Sequence, residues 1–203
     1  MTAEIGTIVI GMDELAVRLG QAFPGELSDI RIQDPDTVIA QVDPAALKSI
    51  ARRLHDLPRI AFDSLTLISS VDYKTHFECV YHLYSFAANR YLELHVRVSR
   101  AKPVLDTVSD VWPSANWHER EAWDMMGIRF EGHPDPRRIL LEDGWVGHPL
   151  RKDYQMPDQW LGVPLEGRPY SVSDAKPVLP PPTPAPEKPA APPAAGPQAP
   201  SEG

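Results

Sequence analysis

The most chemically versatile side chains lie in two similar stretches in the second half of the chain. Gly132-His133-Pro134 is followed by Arg137-Arg138, and Gly147-His148-Pro149 is followed by Arg151-Lys152. The two histidines have no cysteine near them, whereas structural zinc sites usually take four ligands at tight local spacing. We therefore predict no metal site here. The basic side chains could bind an anion, form a solvated face or pair with carboxylates of a partner.

An acidic cluster precedes these stretches on a helix predicted over residues 114–126. Glu119 and Glu121 are two positions apart, so they point to different faces and do not form the paired carboxylates of an acid–base site. Arg120 and Asp124 are neighbours on the helix surface, where such a pair contributes only a few tenths of a kcal/mol if it is exposed. The expected structure is a capped, amphipathic helix.

Two other functions are possible in principle for these residues. A stand-alone hydrolase could use Glu119 or Glu121 with His118 or His133, but the sequence has no nucleophile elbow and no metal-ligand spacing. A module that binds anions or nucleic acid could use the basic residues of the two stretches. The net charge of -8 and the lack of a basic run argue against it.

The single cysteine, Cys79, limits redox chemistry. It permits no intramolecular disulfide, indicates a reducing compartment, and cannot hold an iron–sulfur cluster alone. No glycine-rich phosphate loop or Walker A motif is present. The N-terminus has no pattern of a secretory signal, and no apolar run approaches the ~20 residues that span a bilayer. We expect membrane association only through partner proteins.

Residues 1–105 contain the patterns of a small α+β domain. A helix is predicted over residues 13–23, a strand over residues 37–42, and a second helix from Asp43-Pro44 to about Leu57. The buried stripe of this second helix comprises Leu47, Ile50, Ala51 and Leu54.

A β-hairpin is the clearest predicted element of this domain. Apolar and polar residues alternate strictly from Tyr91 to Val98, and the partner strand is predicted over residues 77–86. Strands near residues 28–32 and 65–71 would complete a sheet with two helices on one face.

The remaining chain divides into two further zones. Residues 106–170 contain all five tryptophans, a helix with Ser114 as N-cap and Gly127 after its last turn, and then many prolines and glycines. Large aromatic side chains on a stretch with little regular structure favour burial against a partner. Residues 171–203 are rich in proline and alanine, which predicts an extended ensemble or a strap across neighbouring subunits.

Three runs of sequence resemble a known family over about 45 residues. They are WPSANWHEREAWDMMGI from Trp112, FEGHPDPRRILL from Phe130 and WVGHPLRKDY from Trp145. Together they resemble the signature of the C subunit, the thirty-kilodalton (30 kDa) subunit, of respiratory NADH:quinone oxidoreductase (complex I). The strand VYHLYS from Val80 is similar to a sheet strand of that family, and the proline-rich tail has no counterpart in its pattern.

The resemblance implies an α+β domain, a short helix and a long extended segment that wraps partners. It implies a structural subunit without catalytic residues, cofactor or metal, in a proton-translocating complex whose FMN and iron–sulfur clusters lie in other subunits. The implied partners are the D and B subunits and the iron–sulfur I subunit, on the cytoplasmic side of the membrane. Cousins in membrane-bound hydrogenases and in ferredoxin- or F420-linked quinone reductases share the motif, so the electron donor, the quinone and the pumped ion stay open.

By the same resemblance, the signature residues are expected to form the partner interface. They are Trp117, Glu119, Arg120, Glu121, Asp124, Gly127, His133, Pro134, Arg137, Arg138, Trp145, His148, Pro149, Arg151, Lys152 and Tyr154.

Overall fold

The computed structural model describes residues 10–161 and 163–165, so the predicted proline-rich tail lies outside the described residues. A five-stranded sheet is its largest element, with spatial order β1-β2-β5-β4-β3. Strands β2 and β5 are parallel, and the other neighbours are antiparallel. The strands are β1 Leu27–Asp34, β2 Thr37–Val42, β3 Ser64–Asp72, β4 His76–Ser85 and β5 Arg90–Ser99.

Two helices, α1 (Met12–Ala22) and α2 (Leu47–His55), share one hydrophobic core with the sheet, as predicted. The four residues of the predicted stripe of α2 are its buried residues. The helix begins later than predicted because residues 43–46 form a tight turn, in which the Ala46 N–H donates to the Asp43 carbonyl at 3.0 Å. The α+β fold with helices on one face of a small sheet is therefore confirmed.

The β4–β5 hairpin follows the alternation in the sequence. Leu92, Leu94, Val96 and Val98 are buried, and Arg97 between them is exposed. Cys79 on β4 is fully buried, and burial raises the pKa of its thiol to about 12. The thiol is therefore protonated and unreactive at neutral pH.

The chain after β5 forms two short strands and a third helix, and this part contributes to the same hydrophobic core. Strands β6 (Val104–Asp106) and β7 (Arg129–Glu131) pair in parallel, and helix α3 (Ala115–Met126) connects them. Trp112 is almost fully buried, and its indole N–H donates to the Phe62 carbonyl at 2.9 Å. The core thus continues beyond residue 105, into the part of the chain that contains the tryptophans.

The chain from residue 132 to residue 157 contains no helix or strand. A separate unit begins at Asp158, within which β8 (Gln159–Trp160) and β9 (Val163–Pro164) pair in antiparallel fashion. None of the helices in the described ranges has the length and hydropathy required to cross a membrane.

Candidate partner interface

One buried carboxylate fastens the irregular stretch of residues 132–157, which we call the signature segment, to α3. The Oδ2 atom of Asp124 accepts three successive backbone N–H groups, from Ile139 at 3.1 Å, Leu140 at 2.9 Å and Leu141 at 3.0 Å. Its Oδ1 atom accepts the guanidinium of Arg138. Burial would raise the pKa of Asp124, but these N–H groups and the guanidinium outweigh it and hold the pKa below its usual value. Asp124 is therefore ionised at neutral pH.

Two arginines satisfy main-chain carbonyls of this irregular segment. Arg120 donates from Nε to the Arg137 carbonyl at 3.0 Å and from Nη2 to the Arg138 carbonyl at 3.1 Å. Arg138 donates to the Trp145 carbonyl at 3.0 Å, and its guanidinium lies 5.3 Å from the centroid of the Trp123 ring. These contacts hold a backbone that has no helix or strand partner of its own.

These positions correct two expectations from the sequence. Arg120 and Asp124 are buried and do not pair with each other, because each binds the segment beyond the helix. Carboxylates or carbonyls of a partner were expected to bind Arg138, whereas its guanidinium donates to Asp124 and to the Trp145 carbonyl of the same chain. For Arg137 the expectation stays a prediction: its side chain is 77% exposed and pairs with Asp135 at 2.6 Å.

The C-terminal end of α3 is closed by the second histidine–arginine stretch. A helix leaves its last four carbonyls without partners inside the helix, and here all four receive a donor from nearby. The Trp123 carbonyl accepts the Gly127 N–H at 2.8 Å, and the Met125 carbonyl accepts the Leu150 N–H at 3.1 Å. The Asp124 carbonyl accepts from His148 Nδ1 at 3.0 Å, and the Met126 carbonyl accepts from Arg151 Nε at 2.6 Å.

Gly127 makes this closure possible. Its φ of 73° lies in the left-handed region that glycine adopts most easily, as the sequence predicted for the end of the helix. A Cβ atom here would lie 2.4 Å from Arg151 Nη2 and 2.5 Å from the His148 ring. Ser114, in contrast, precedes the helix without capping it, since its hydroxyl donates to the Leu65 carbonyl at 2.9 Å.

Both histidines of the sequence pattern bind backbone groups. His133 accepts the Asp135 N–H at Nδ1 (3.0 Å), so Nε2 carries the proton and donates to the Asn116 carbonyl at 3.1 Å. Burial and the nearby cations Arg151 and Arg138 lower the pKa of His148. Within the described ranges, no group of three or more His, Cys, Asp or Glu side chains is placed to hold a metal ion.

Glu119 is fully buried where α3 meets the loop after β6. It accepts the Val108 N–H at 2.8 Å and the Thr107 hydroxyl at 2.5 Å, and His133 Nε2 lies 3.9 Å away. Burial outweighs these hydrogen bonds and raises the pKa of Glu119 to about 7. The carboxyl is therefore partly protonated at neutral pH, and its role is to join two elements. Glu121, as expected, points elsewhere and is exposed.

The far end of the segment is attached to the sheet. The buried Asp72 side chain on β3 accepts the Lys152 N–H at 2.9 Å and Arg100 Nη2 at 2.8 Å, and Arg100 also donates to Asp153 at 2.6 Å. These donors overcome the effect of burial and lower the pKa of Asp72 to about 2. The segment is thus fixed at both ends, to α3 and to β3.

Large apolar side chains of this fixed segment nevertheless face solvent. The exposed fraction is 62% for Leu140, 71% for Val146 and 63% for Met156. On α3 itself, Trp117 is 64% exposed, with the Arg120 guanidinium 5.1 Å from its ring centroid. Arg120 also lines a cavity of about 480 Å³, whose walls include Trp123, Phe130, Arg129, Glu131 and Pro136.

The structure divides the predicted interface residues by exposure. The exposed ones are Trp117, Glu121, Pro134, Arg137 and Lys152; the partly buried ones are His133, Arg138, Trp145, His148, Pro149, Arg151 and Tyr154; and the buried ones are Glu119, Arg120, Asp124 and Gly127. Most of the charged residues in this set are therefore buried or partly buried and form contacts within the chain. That these residues contact a partner stays a prediction.

Four residues of the site could not be identified from the sequence. Asp72, Arg100, Thr107 and Val108 hold the segment or Glu119, but no local pattern links them to it. Leu140 was visible as a large apolar residue in a stretch without helix or strand periodicity, which is a signal of an exposed contact.

Comparison with known proteins identifies the family. The family described as respiratory-chain NADH dehydrogenase, 30 Kd subunit, matches residues 40–160. A C subunit (C 2) of NADH-quinone oxidoreductase from Rhizobium meliloti is 46% identical over 109 residues, which are 52% of this chain and 59% of that protein. The corresponding C subunit of Azoarcus sp. is 41% identical over 143 residues, 64% of this chain and 71% of its own.

A solved structure gives the same result. A trypsin-resistant fragment of Nqo5 has a TM-score of 0.53 and 29% identity, covering 60% of this chain and 98% of the fragment. The matched region spans about six tenths of the first relative's length. The family match over residues 40–160 begins within β2 and includes α2, strands β3 to β7, α3 and the segment fixed to α3. The chain therefore belongs to the family of the 30 kDa subunit of respiratory-chain NADH dehydrogenase.

Proposed function

We propose that this chain is a non-redox structural subunit of the quinone-reducing peripheral module of a proton-translocating NADH:quinone oxidoreductase. It supports electron transfer from NADH to quinone by binding the D and B subunits, and the iron–sulfur I subunit, on the cytoplasmic side of the membrane. FMN and iron–sulfur clusters would be held by other subunits.

One observation carries this proposal. The buried charges of the family-matching region, Asp124, Arg138 and Arg120, fix an irregular segment that exposes Leu140 and Val146. Exposed apolar patches on soluble proteins mark interaction sites, and subunit interfaces use such side chains as central contacts. The arrangement is that of a prebuilt docking surface.

The charged residues support the non-redox part of the proposal. Asp124, Arg138 and His148 all bind backbone groups, and Glu119 joins α3 to a neighbouring loop. Glu119 contacts the Thr107 hydroxyl at 2.5 Å in a fully buried position, so this carboxyl also serves to join parts of the fold. The only thiol, Cys79, is buried in the sheet with a raised pKa.

The proposal is tested by charging the exposed side chains. Burying Leu140 and Val146 in an interface would contribute about 1.5–3 kcal/mol each, so a Leu140→Asp, Val146→Asp double variant should lower incorporation into the membrane complex at least tenfold. Val17→Asp is the matched control, because Val17 is 57% exposed on α1. Blue-native electrophoresis measures incorporation, and circular dichroism verifies that each variant is folded.

Normal incorporation of the folded double variant would contradict the proposal. The composition of the purified complex then separates the alternatives. A flavin-binding NADH-input subunit supports the respiratory complex, whereas a nickel–iron subunit would assign the chain to a related membrane-bound hydrogenase. A ferredoxin- or F420-reacting subunit would assign it to another quinone reductase.

A further inference from the structure

Three aromatic rings cluster at the turn between β4 and β5. The Tyr84 ring packs edge-on against Phe86, with centroids 5.0 Å apart, and lies tilted against the Tyr91 ring, with centroids 4.8 Å apart. Phe86 is 66% exposed and Tyr91 is 44% exposed. We call Tyr84, Phe86 and Tyr91 the aromatic tip. Aromatic side chains in such numbers on a surface are typical of contact sites between proteins.

The turn holds Phe86 in a fixed position. The Phe86 N–H donates to Asp63 Oδ1 at 3.2 Å, and the Tyr84 hydroxyl donates to Asn89 Oδ1 at 2.6 Å. Inside the turn, the Ala88 N–H donates to the Ser85 hydroxyl at 3.1 Å. These bonds use backbone and polar groups, so they fix the turn without burying the Phe86 ring. Because the backbone that carries Phe86 is already ordered, the turn loses little conformational entropy when the ring binds.

Three charged side chains, Asp63, Asp36 and Arg90, lie in or beside the turn. Asp63 is exposed, and the Asp36 side chain is 64% exposed. Arg90 is the cation among these contacts; its side chain is 18% exposed, pairs with Asp36 at 3.3 Å and donates to the Ile10 carbonyl at 3.0 Å. Arg90 therefore offsets the charge of Asp36, and the tip presents one carboxylate, Asp63, whose charge is not offset by these contacts. A complementary surface would be apolar and edged by basic side chains.

The aromatic tip lies at the opposite end of β4 from the attachment of the signature segment. Ser85 pairs with Arg90 at the tip, and His76 pairs with Ser99 at the other end, next to Arg100. Ten residues of β4 separate the two ends, which is roughly 30 Å at ~3.3 Å per residue. A partner bound at Arg100 and Asp153 would have to extend more than roughly 30 Å along the sheet to cover the tip as well.

We propose that the aromatic tip is a second docking site, where Phe86 enters an apolar cleft edged by arginine or lysine on a neighbouring subunit of the same complex. This inference rests on the proposed function, because it requires that the chain is assembled with other subunits. The chain would then connect two neighbours, one at the signature segment and one at the tip.

Hydroxyl-radical footprinting of the purified complex and of the isolated full-length chain tests the proposal. The oxidation rates of Phe86 and Tyr91 should fall at least fivefold on assembly, and Trp117 serves as the marker of the first interface. Protection of Trp117 with an unchanged rate at Phe86 would overturn the second site alone. If neither Trp117 nor Phe86 were protected, the proposed function would fail as well.

Two substitutions test the chemistry of the partner. Phe86→Ser should raise the fraction of chain released from the complex by mild detergent at least fivefold, whereas Val17→Ser, on α1, should leave it unchanged. Asp63→Asn keeps an acceptor for the Phe86 N–H but removes the charge, so it should weaken the salt dependence of release. An unchanged salt dependence would overturn the basic edge. Dimers of the isolated chain that Phe86→Ser converts to monomers would assign the tip to a second copy instead.

Discussion

Removal of the Asp124 carboxylate should release the signature segment while the sheet stays folded. In Asp124→Ala, the buried guanidinium of Arg138 loses its counter-ion and the N–H groups of residues 139–141 lose their acceptor. Breaking one member of a buried ion pair costs about 3–5 kcal/mol. Each N–H group that loses its acceptor should add less than the full cost of an unpaired buried group to this free energy, because water can reach this surface segment. Asp124 is absent from the hydrophobic core, so the cost should appear as local opening.

Amide hydrogen exchange of residues 137–151 measures this opening. A cost of about 3–5 kcal/mol corresponds to exchange that is roughly 10²- to 10⁴-fold faster, with unchanged protection in β4 and β5. Glu121→Ala is the control, since it removes an exposed carboxylate from the same helix. Exchange of the segment within twofold of the unmodified chain would refute the role of Asp124. Loss of protection in β4 would show that the segment and the sheet unfold together.

Two further predictions concern pH and backbone conformation. Because the folded pKa of Glu119 is raised from 4.5 to about 7, its contribution to stability should be complete below pH 4.5 and lost between pH 4.5 and 7. The loss is about 3 kcal/mol, and Glu119→Gln should remove this part of the pH dependence of urea unfolding; an identical pH dependence in both proteins would contradict the burial argument. Gly127→Ala should destabilise the chain more than Gly25→Ala in the same measurement. Both glycines have nearly equal positive φ, but an added Cβ meets His148 and Arg151 only at Gly127. Equal effects would mean that the backbone strain of about 1–2 kcal/mol is the whole cost.

The sheet and its two helices could be predicted because each has a local periodic pattern. The strand at residues 37–42 was predicted with its observed bounds, and the alternation from Tyr91 to Val98 gave the buried face of β5. The stripe of Leu47, Ile50, Ala51 and Leu54 gave the buried face of α2. Such patterns record burial directly, because side chains on one face recur every two or about 3.6 residues.

The candidate site could be predicted only as a run of signature residues. The polar residues of α3 suggested a solvated face, yet Glu119, Arg120 and Asp124 are buried under a segment with no periodicity. Their partners lie 11 to 18 residues away in the chain, and Asp72 lies 80 residues from Lys152. Contacts between irregular backbone and distant charges leave no local pattern, so only the folded structure reveals them.

The exposed signature segment is the surface through which we propose that this chain acts as a structural subunit. The most direct measurement is purification of the tagged chain from native membranes, with NADH-dependent quinone reduction and polypeptide composition determined on the same preparation. We expect activity to co-purify with the chain, and the Leu140→Asp, Val146→Asp variant to be recovered without activity or other subunits. Fully active complex in membranes that lack the chain would contradict this role.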